Sequence, residues 1–487
     1  MKKALIVFTV LFFILFSTLA INTLRFKSKQ IQVESGNAPS VDDARALERL
    51  AQAIRFKTIS NDGGASANPE EFLALHRHLQ QSFPKVHSSL SREVIGEYSL
   101  LYTWKGSDAS LPPALIMAHM DVVPIESSTE SQWIHPPFDG VIADGYIWGR
   151  GTMDDKSSVL GILEATEMLL ENGFQPRRTL YLAFGHDEEI GGRAGAVKIA
   201  EVLAQRGVRL FYVLDEGLFL ADGVVPGVSS PVALVGIAEK GFLSVALTVE
   251  AEPGHSSVPP THTAIGILSM AVSRLEQSQL PANLNGVPGQ MFDYLGPEMG
   301  FGMKLVFANR WLFRPLIERQ LSASSSTNAT IRTTTAVTMI NGGIKDNVLP
   351  SRATAIVNFR ILPGSSIEEV MAHVRRVVDD TRVKVERYGA DFNEPSAVSN
   401  IHSEEFTIIE RTIRQAFPTA VVAPALVVGA TDSRHYGKLT ASVYRFLPHR
   451  FNNDDITRLH GLNERISIEN YRLGVRFYFN LMSNSLR

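Results

Sequence analysis

The feature that most constrains this chain is a series of short apolar runs, each leading into residues of the types that can ligate metals. The run 114–118 ends in His119-Met120-Asp121, the run 180–184 leads to Glu188-Glu189, and the run 211–214 ends at Asp215. Gly149-Arg150-Gly151 precedes Asp154-Asp155, and His460 stands alone near the C-terminus. Short runs without polar alternation suit strands covered on both faces, and a parallel sheet presents the residues that follow its strands along one edge. Such runs alternate with helical patterns at 157–171 and 192–204. The expected architecture is therefore a doubly wound α/β domain with a mainly parallel sheet.

The pattern changes near residue 240. Apolar and polar residues alternate over 243–251, and helical spacing follows at 264–275. Strand-like segments at 333–340 and 353–362 precede a helix at 367–380 and a strand at 383–388. This β-α-β-β-α-β order predicts a ferredoxin-like α+β lid over 239–390, interrupting a catalytic domain built from 41–238 and 391–487. The Pro-, Phe- and Leu-rich stretch 280–327 fits no element of that order. Residues 30–40 read as a polar linker. Ahead of it, residues 1–29 carry Lys2-Lys3, an uncharged apolar stretch over 4–24, and then Arg25, Lys27 and Lys29. That stretch predicts a hydrophobic helix long enough to span a bilayer. Its length favours an uncleaved signal anchor with the catalytic domain outside the cytoplasm. Thr18-Leu19-Ala20 offers small residues for cleavage, so a signal peptide and a secreted or periplasmic protein stand as the alternative.

Composition removes several function classes. A net charge of -3 without a basic run offers no field for nucleic acid. The absence of cysteine excludes thiolate catalysis, disulfides and Cys-type zinc sites. What remains is imidazole and carboxylate chemistry, which suits two zinc ions, with Mn2+ or Co2+ able to substitute. One carboxylate can hold two cations about 3.5–4 Å apart, and Asp154 is the candidate for that bridge. His119 and Asp215 would complete one metal, Glu189 and His460 the other. Asp121, two residues after His119 on an extended segment, faces the same side and can orient its imidazole. Glu188, beside a metal-binding Glu189, is the candidate general base for a metal-activated water. His186 reads better as a structural histidine.

Longer motifs surround these residues: Met117 to Pro124, Trp133 with Pro136-Pro137-Phe138, Gly149 to Lys156, Gly185 to Glu189, and Leu214-Asp215-Glu216-Gly217. With them the chain resembles the co-catalytic zinc peptidase family of aminoacylase-1, bacterial glutamate carboxypeptidase and carboxypeptidase S. Ala238 to Gly241, Ile331 to Ala336 and Thr431 to Arg434 resemble one branch in particular. That branch holds carboxypeptidase S and the secreted N-fatty-acyl-amino-acid synthase/hydrolase. The resemblance implies metal-ligand roles for His119, Asp154, Glu189, Asp215 and His460, the base role for Glu188, and a cis bond between Asp154 and Asp155. It also implies that His255 on the lid polarises the scissile carbonyl, from the partner subunit in dimeric relatives. Asn347 and Arg360 fall on the family's substrate-binding positions. The long insertion at 280–327 leaves a monomer and a lid-mediated homodimer both open. Arg434 and His435 lie in a loop that departs from the shorter Gly-rich loop of many relatives, and either bind substrate or brace the loop.

The resulting expectation is a dizinc amidohydrolase or exopeptidase. It would cleave, and in reverse form, the amide bond of an N-acyl amino acid or short peptide with a free C-terminal carboxylate. Arg360 suits that carboxylate through its planar fork. A Gly-Xaa carboxypeptidase or dipeptidase is the alternative. A non-catalytic binding protein on the same scaffold would lack a ligand or the base, and none is missing. A dizinc phosphoesterase would want further cations beside the metals. The expected partners are a small-molecule or short-peptide substrate and, through the N-terminal segment only, a membrane.

Overall fold

The computed structural model describes residues 1–34, 36, 38–61 and 68–487. Its main sheet has eight strands. Leu180–Gly185, Ala114–His119, Val213–Ala221 and Val443–Phe451 lie side by side and parallel. Val232–Glu239 and Val421–Val427 form a second parallel pair, joined antiparallel to Val443–Phe451. The hairpin Ser91–Ile95 and Ser99–Trp104 closes the opposite edge in antiparallel register. The sheet is thus mainly parallel, as expected.

Alternation along one strand shows why both faces are covered. Ala114, Ile116 and Ala118 pack with Val159, Leu160 and Leu163 of the helix Lys156–Glu171 and with Val475 and Leu481 of Ile468–Ser485. Leu115 and Met117 point the other way, into Ile199 and Leu203 of Ala196–Gln205. A strand buried on both faces needs apolar residues at every position, which is what the run 114–118 provides. Lys156, wholly buried, donates to the carbonyls of Ala53 and Phe56 and so ties the helix Asp43–Ile54 to the loop that carries Asp154. Burial pulls its ammonium down to about 7, outweighing the charges of Glu71, Asp121 and Glu464.

A second sheet has the order Thr334–Gly342, Arg352–Ile361, Gly241–Glu250, Val383–Arg387, all antiparallel. With the helices Ala264–Gln277 and Ile367–Val378 this is the ferredoxin-like order expected from the sequence. Leu243, Val245, Leu247 and Val249 face the helices together with Val357 and Phe359. Phe242 and Arg360, directly paired, lie on the helix-free face.

The stretch 280–327 resolves into the short helices Gly286–Leu295, Phe301–Ala308 and Arg310–Leu321, with Ser325–Ile331 following. They share a small core of Leu284, Phe292, Phe307, Ile317 and Ile331. The N-terminal helix runs from Lys2 to Arg25, reaches a mean hydropathy of 2.8 over its most apolar 18 residues, and is exposed for most of its length. Residues 35 and 37 of the expected linker 30–40 lie outside the described residues. Gln30 within it is tied to the sheet edge, donating to the carbonyl of Val422 at 2.9 Å and accepting from its N–H at 2.7 Å.

Where the chain leaves the main sheet for the second one stands a buried ion pair. Glu239 Oε1 accepts from Arg445 Nε at 3.0 Å and from Thr431 N and Oγ1 at 2.9 and 2.7 Å. Removing one partner leaves the other charge buried and unpaired, which costs about 3–5 kcal/mol. Glu239→Ala is therefore expected to lower the denaturation midpoint sharply, and Glu239→Leu with Arg445→Met to recover most of the loss. Equal stability of the single and double variants in a denaturant titration would contradict this.

Candidate metal centre

His119 ends its strand and pairs with Gly185, the last residue of the neighbouring strand, so the His186–Glu189 turn rises beside it. The imidazole is fixed from behind. Its Nδ1 lies 3.0 Å from the Asp121 carbonyl and 3.3 Å from Asp121 Oδ1, which places the proton on Nδ1 and frees Nε2 as a ligand. Asp121 also accepts from Ser60 Oγ at 2.7 Å and from the N–H groups of Glu188 and Glu189 at 3.2 and 3.1 Å. One buried carboxylate thereby orients the histidine and the turn that presents two further carboxylates.

Asp154 lies between the two imidazoles. Its Oδ1 is 2.9 Å from His119 Nε2 and its Oδ2 is 3.1 Å from His460 Nε2. The Asp154–Asp155 bond is cis. His460 also approaches Glu189 Oε1 at 3.3 Å. Ligand atoms of His119, Asp154 and Glu189 lie within 4.8 Å of one another, and so do those of His119, Glu188 and Glu216.

Glu216, not Asp215, therefore joins His119. Adjacent residues of an extended strand point to opposite faces, and on Val213–Ala221 it is Glu216 that turns toward the centre. Asp215 points away, accepting from the backbone N–H of Ser433 at 2.8 Å. This corrects the expected placement of Asp215 beside His119.

His460 is brought from 306 residues away by a contact that carries no motif. Glu464 accepts from Arg150 Nη1 at 2.5 Å and from the N–H groups of Gly151 and Met153 at 2.9 Å each. Arg150 Nη2 in turn donates to the carbonyls of His460 and Gly461. His460 itself has a φ of 56°, in the left-handed region, within this clamp.

The electrostatics are those of a cation site. Hydrogen bonds to the Asp154 carboxylate and then to Glu189 push His460 up to about 10. Asp154 is held below its usual range, because the bonds to His119 and His460 outweigh its burial. Burial raises Glu188 well above the usual carboxyl range, with the charges of Asp432, Glu189 and Asp121 adding to it. Burial raises Glu216 likewise, with Asp154 and Glu188 adding. So many buried carboxyl groups with so few protein cations form a donor set that a divalent ion fits: oxygen and imidazole atoms, close together and uncompensated.

The remaining expected residues lie elsewhere. His255 is exposed on a two-residue strand, Gly254–His255, and its Nδ1 accepts from Ser257 N at 3.1 Å and lies 2.8 Å from Ser257 Oγ. Asn347 is exposed, and its carbonyl accepts from Ser256 N at 3.1 Å. Neither makes a hydrogen bond to the metal-binding cluster. Arg360 is half-buried over the ring of Phe242 at 4.8 Å. Burial lowers its pKa, as does the nearby charge of Arg434. Arg434 donates to the carbonyl of Gly191 at 3.1 Å, and His435 Nε2 lies 3.3 Å from the same oxygen. Both therefore brace the turn carrying Glu188 and Glu189. His186 is structural, its Nδ1 2.6 Å from Ser99 Oγ and its ring edge-on to Phe72 and Tyr98. Asp432 escaped the sequence reading. It is buried under the Glu188 turn, where a Cβ at Gly192 (φ +69°) would meet its Oδ1 at 1.9 Å. Only glycine fits there.

Comparison with known proteins agrees with this geometry. The profile of peptidase family M20/M25/M40 matches residues 115–484. This chain belongs to that family. It is 45% identical over 478 residues to probable carboxypeptidase S-like 2 of Dictyostelium discoideum, covering 96% of this chain and 91% of the relative. It is 47% identical over 442 residues to the N-fatty-acyl-amino acid synthase/hydrolase of Xenopus tropicalis, covering 90% and 85%. Carboxypeptidase S of Saccharomyces cerevisiae is more distant, at 30% identity over 494 residues, covering 90% and 84%. Among solved structures, an M20 family metallo-carboxypeptidase from Sulfolobus solfataricus shares the fold with a TM-score of 0.66 at 16% identity, covering 90% of this chain and 98% of that one. The M20 protein described here is a metal-dependent peptidase or amidohydrolase that acts on small-molecule or peptide substrates.

Groups that orient a metal-binding histidine typically contribute about 10–100-fold in metal affinity or activity. Asp121→Asn should therefore weaken metal binding by that order in a competitive chelator titration, while leaving the fold intact. Unchanged affinity would remove Asp121 from the role of orienting His119.

Proposed function

We propose that this M20 peptidase binds two zinc ions and hydrolyses N-acyl amino acids, forming the same amide bond in reverse. The observation that carries the reading is the Asp154 carboxylate set between His119 and His460, with an uncommitted Glu188 beside it. His119 and Glu216 would hold one ion, Glu189 and His460 the other, with Asp154 between them. The residues are divided as in the sequence expectation except that Glu216 takes the place of Asp215. When bound, the ions lower the pKa of a shared water and polarise the substrate carbonyl.

Glu188 takes the proton of the attacking water. Its raised proton affinity, from burial among like charges, suits a base that must then hand the proton to the leaving amine. Arg360 receives the terminal carboxylate of the amino acid as a bidentate pair, and Asn347 and His255 approach when the lid, 239–390, closes over the body formed by 41–238 and 391–487. His255 then steadies the oxyanion. The acyl-amino-acid substrate is favoured by the Xenopus tropicalis relative, an N-fatty-acyl-amino acid synthase/hydrolase. The carboxypeptidase names of the Dictyostelium discoideum and Saccharomyces cerevisiae relatives support a second reading, an exopeptidase acting on short peptides. The helix Lys2–Arg25 fits a signal or an anchor, and we read it as a retained anchor holding the catalytic body outside the cytoplasm.

Purified zinc-loaded enzyme, assayed on N-oleoyl-phenylalanine, Gly-Leu and a phosphodiester, should turn over the first most efficiently and the last not at all. A kcat/KM for Gly-Leu above that for the acyl amino acid would favour the exopeptidase. Glu188→Gln should keep both zinc ions by metal analysis and lose at least about 10²–10⁴ in rate, the usual contribution of a general base. Near-wild-type turnover would take Glu188 out of the mechanism.

A further inference from the structure

We infer that the inserted helices Phe301–Ala308 and Arg310–Leu321 form a membrane seat. They would lie in the lipid–water interface beside the point where the N-terminal helix leaves the bilayer. The inference rests on reading Lys2–Arg25 as a retained anchor, and it extends membrane contact well beyond that segment.

The helix has 24 residues, about 36 Å at 1.5 Å per residue, against a hydrocarbon core of about 30 Å. Its last turns are docked on the insertion. Asn22 Nδ2 donates to Asn309 Oδ1 at 2.9 Å, and Asn309 Nδ2 reaches the Leu19 carbonyl at 3.3 Å and Thr23 Oγ1 at 3.4 Å. Thr23 and Asn309 are both buried in this joint. Phe26, one residue beyond the helix, packs into the core of Phe292, Phe307 and Ile317. Gln30 then clamps the chain to the sheet edge. The insertion is therefore pinned at the depth where a span beginning at Lys2 runs out of hydrocarbon.

At that depth the insertion exposes what a water-facing surface does not. Phe301 is 73% exposed, Trp311 61%, Leu316 55%, Met303 42% and Leu312 39%. On Arg310–Leu321, Phe313, Ile317 and Leu321 form one apolar stripe, directed to the protein core. At the 100° step of a helix, Trp311, Leu312 and Leu316 spread over about 140° of the opposite side, with the exposed Pro315 and Arg319 among them. Large apolar side chains exposed on the side away from the core call for a second apolar environment, and among the described residues no protein segment covers them. Tryptophan at the headgroup level and exposed cations beside it, here Arg25, Lys27 and Arg319, are the usual anchoring set at a bilayer surface. Lipid is thus the occupant that the pinned depth and the side-chain chemistry both select.

The absence of native cysteine makes a clean test possible. The full-length chain, reconstituted in phosphatidylcholine liposomes with its N-terminus verified by mass, is spin-labelled at Leu316→Cys or, as the anchor control, at Ile14→Cys. Both labels should be more accessible to oxygen than to a water-soluble nickel chelate, the Leu316 label at shallower depth. A lipid-exposed Ile14 label with an aqueous Leu316 label would overturn the seat and leave the anchor standing. Two aqueous labels would overturn both. Dipolar broadening between Leu316 labels of two copies would assign the face to self-association and also overturn the seat. Tryptophan fluorescence gives a second reading without that substitution, because Trp104, Trp133 and Trp148 are buried and Trp311 is exposed. Lipids brominated near the headgroup should quench a component that Trp311→Phe removes. No such component would contradict the seat.

Discussion

The rest of the molecule depends on one carboxylate held between two imidazoles. Asp154 faces His119, at the end of a central strand, and His460, on a loop reached only after the chain has built and left a second sheet. Each contact is an ordinary hydrogen bond in length, but together they fix the relative position of segments hundreds of residues apart. Burial then makes the arrangement consequential. Carboxyl groups this crowded are expensive to ionise in a poorly solvated space, and a divalent cation is the compensation the donor set allows.

Around that centre, positioning is delegated to groups that bind no metal. Asp121 orients one histidine and the turn carrying Glu188 and Glu189. Glu464 and Arg150 hold the loop of the other histidine. Arg434 and His435 lie against the same turn from below, at the Gly191 carbonyl. Glu239 and Arg445 fix the point from which the chain departs for the second sheet, so the helix-free face bearing Arg360 starts from a rigid junction. The chemistry is carried by few residues, and the neighbours hold them to the geometry the chemistry needs.

Much of this was legible in the sequence for a physical reason. A strand covered on both faces has to be apolar throughout, so 114–118 and 180–184 announced themselves, and the polar residues after them were bound to meet along one sheet edge. The β-α-β-β-α-β order was equally visible, because the periodicity changes from every second residue to a helical repeat. Choosing between Asp215 and Glu216 was not possible from spacing. They are neighbours on one strand, and only the folded geometry shows that Glu216 is the one that reaches His119. Glu464 was illegible because a single carboxylate on a loop has no periodic signal. The insertion at 280–327 resisted assignment because its helices are short, and one of them, Arg310–Leu321, has Pro315 inside it and apolar residues on opposite faces.

In the proposed site Asp154 would bridge two metal ions, with Glu216 completing the coordination at His119. Anomalous diffraction at the zinc edge from crystals of the zinc-loaded enzyme tests it most directly. Two peaks should flank the Asp154 carboxylate, one bonded to His119 and Glu216, the other to Glu189 and His460, with Asp215 bonded to neither. A single peak, or a peak bonded to Asp215 in place of Glu216, would contradict it.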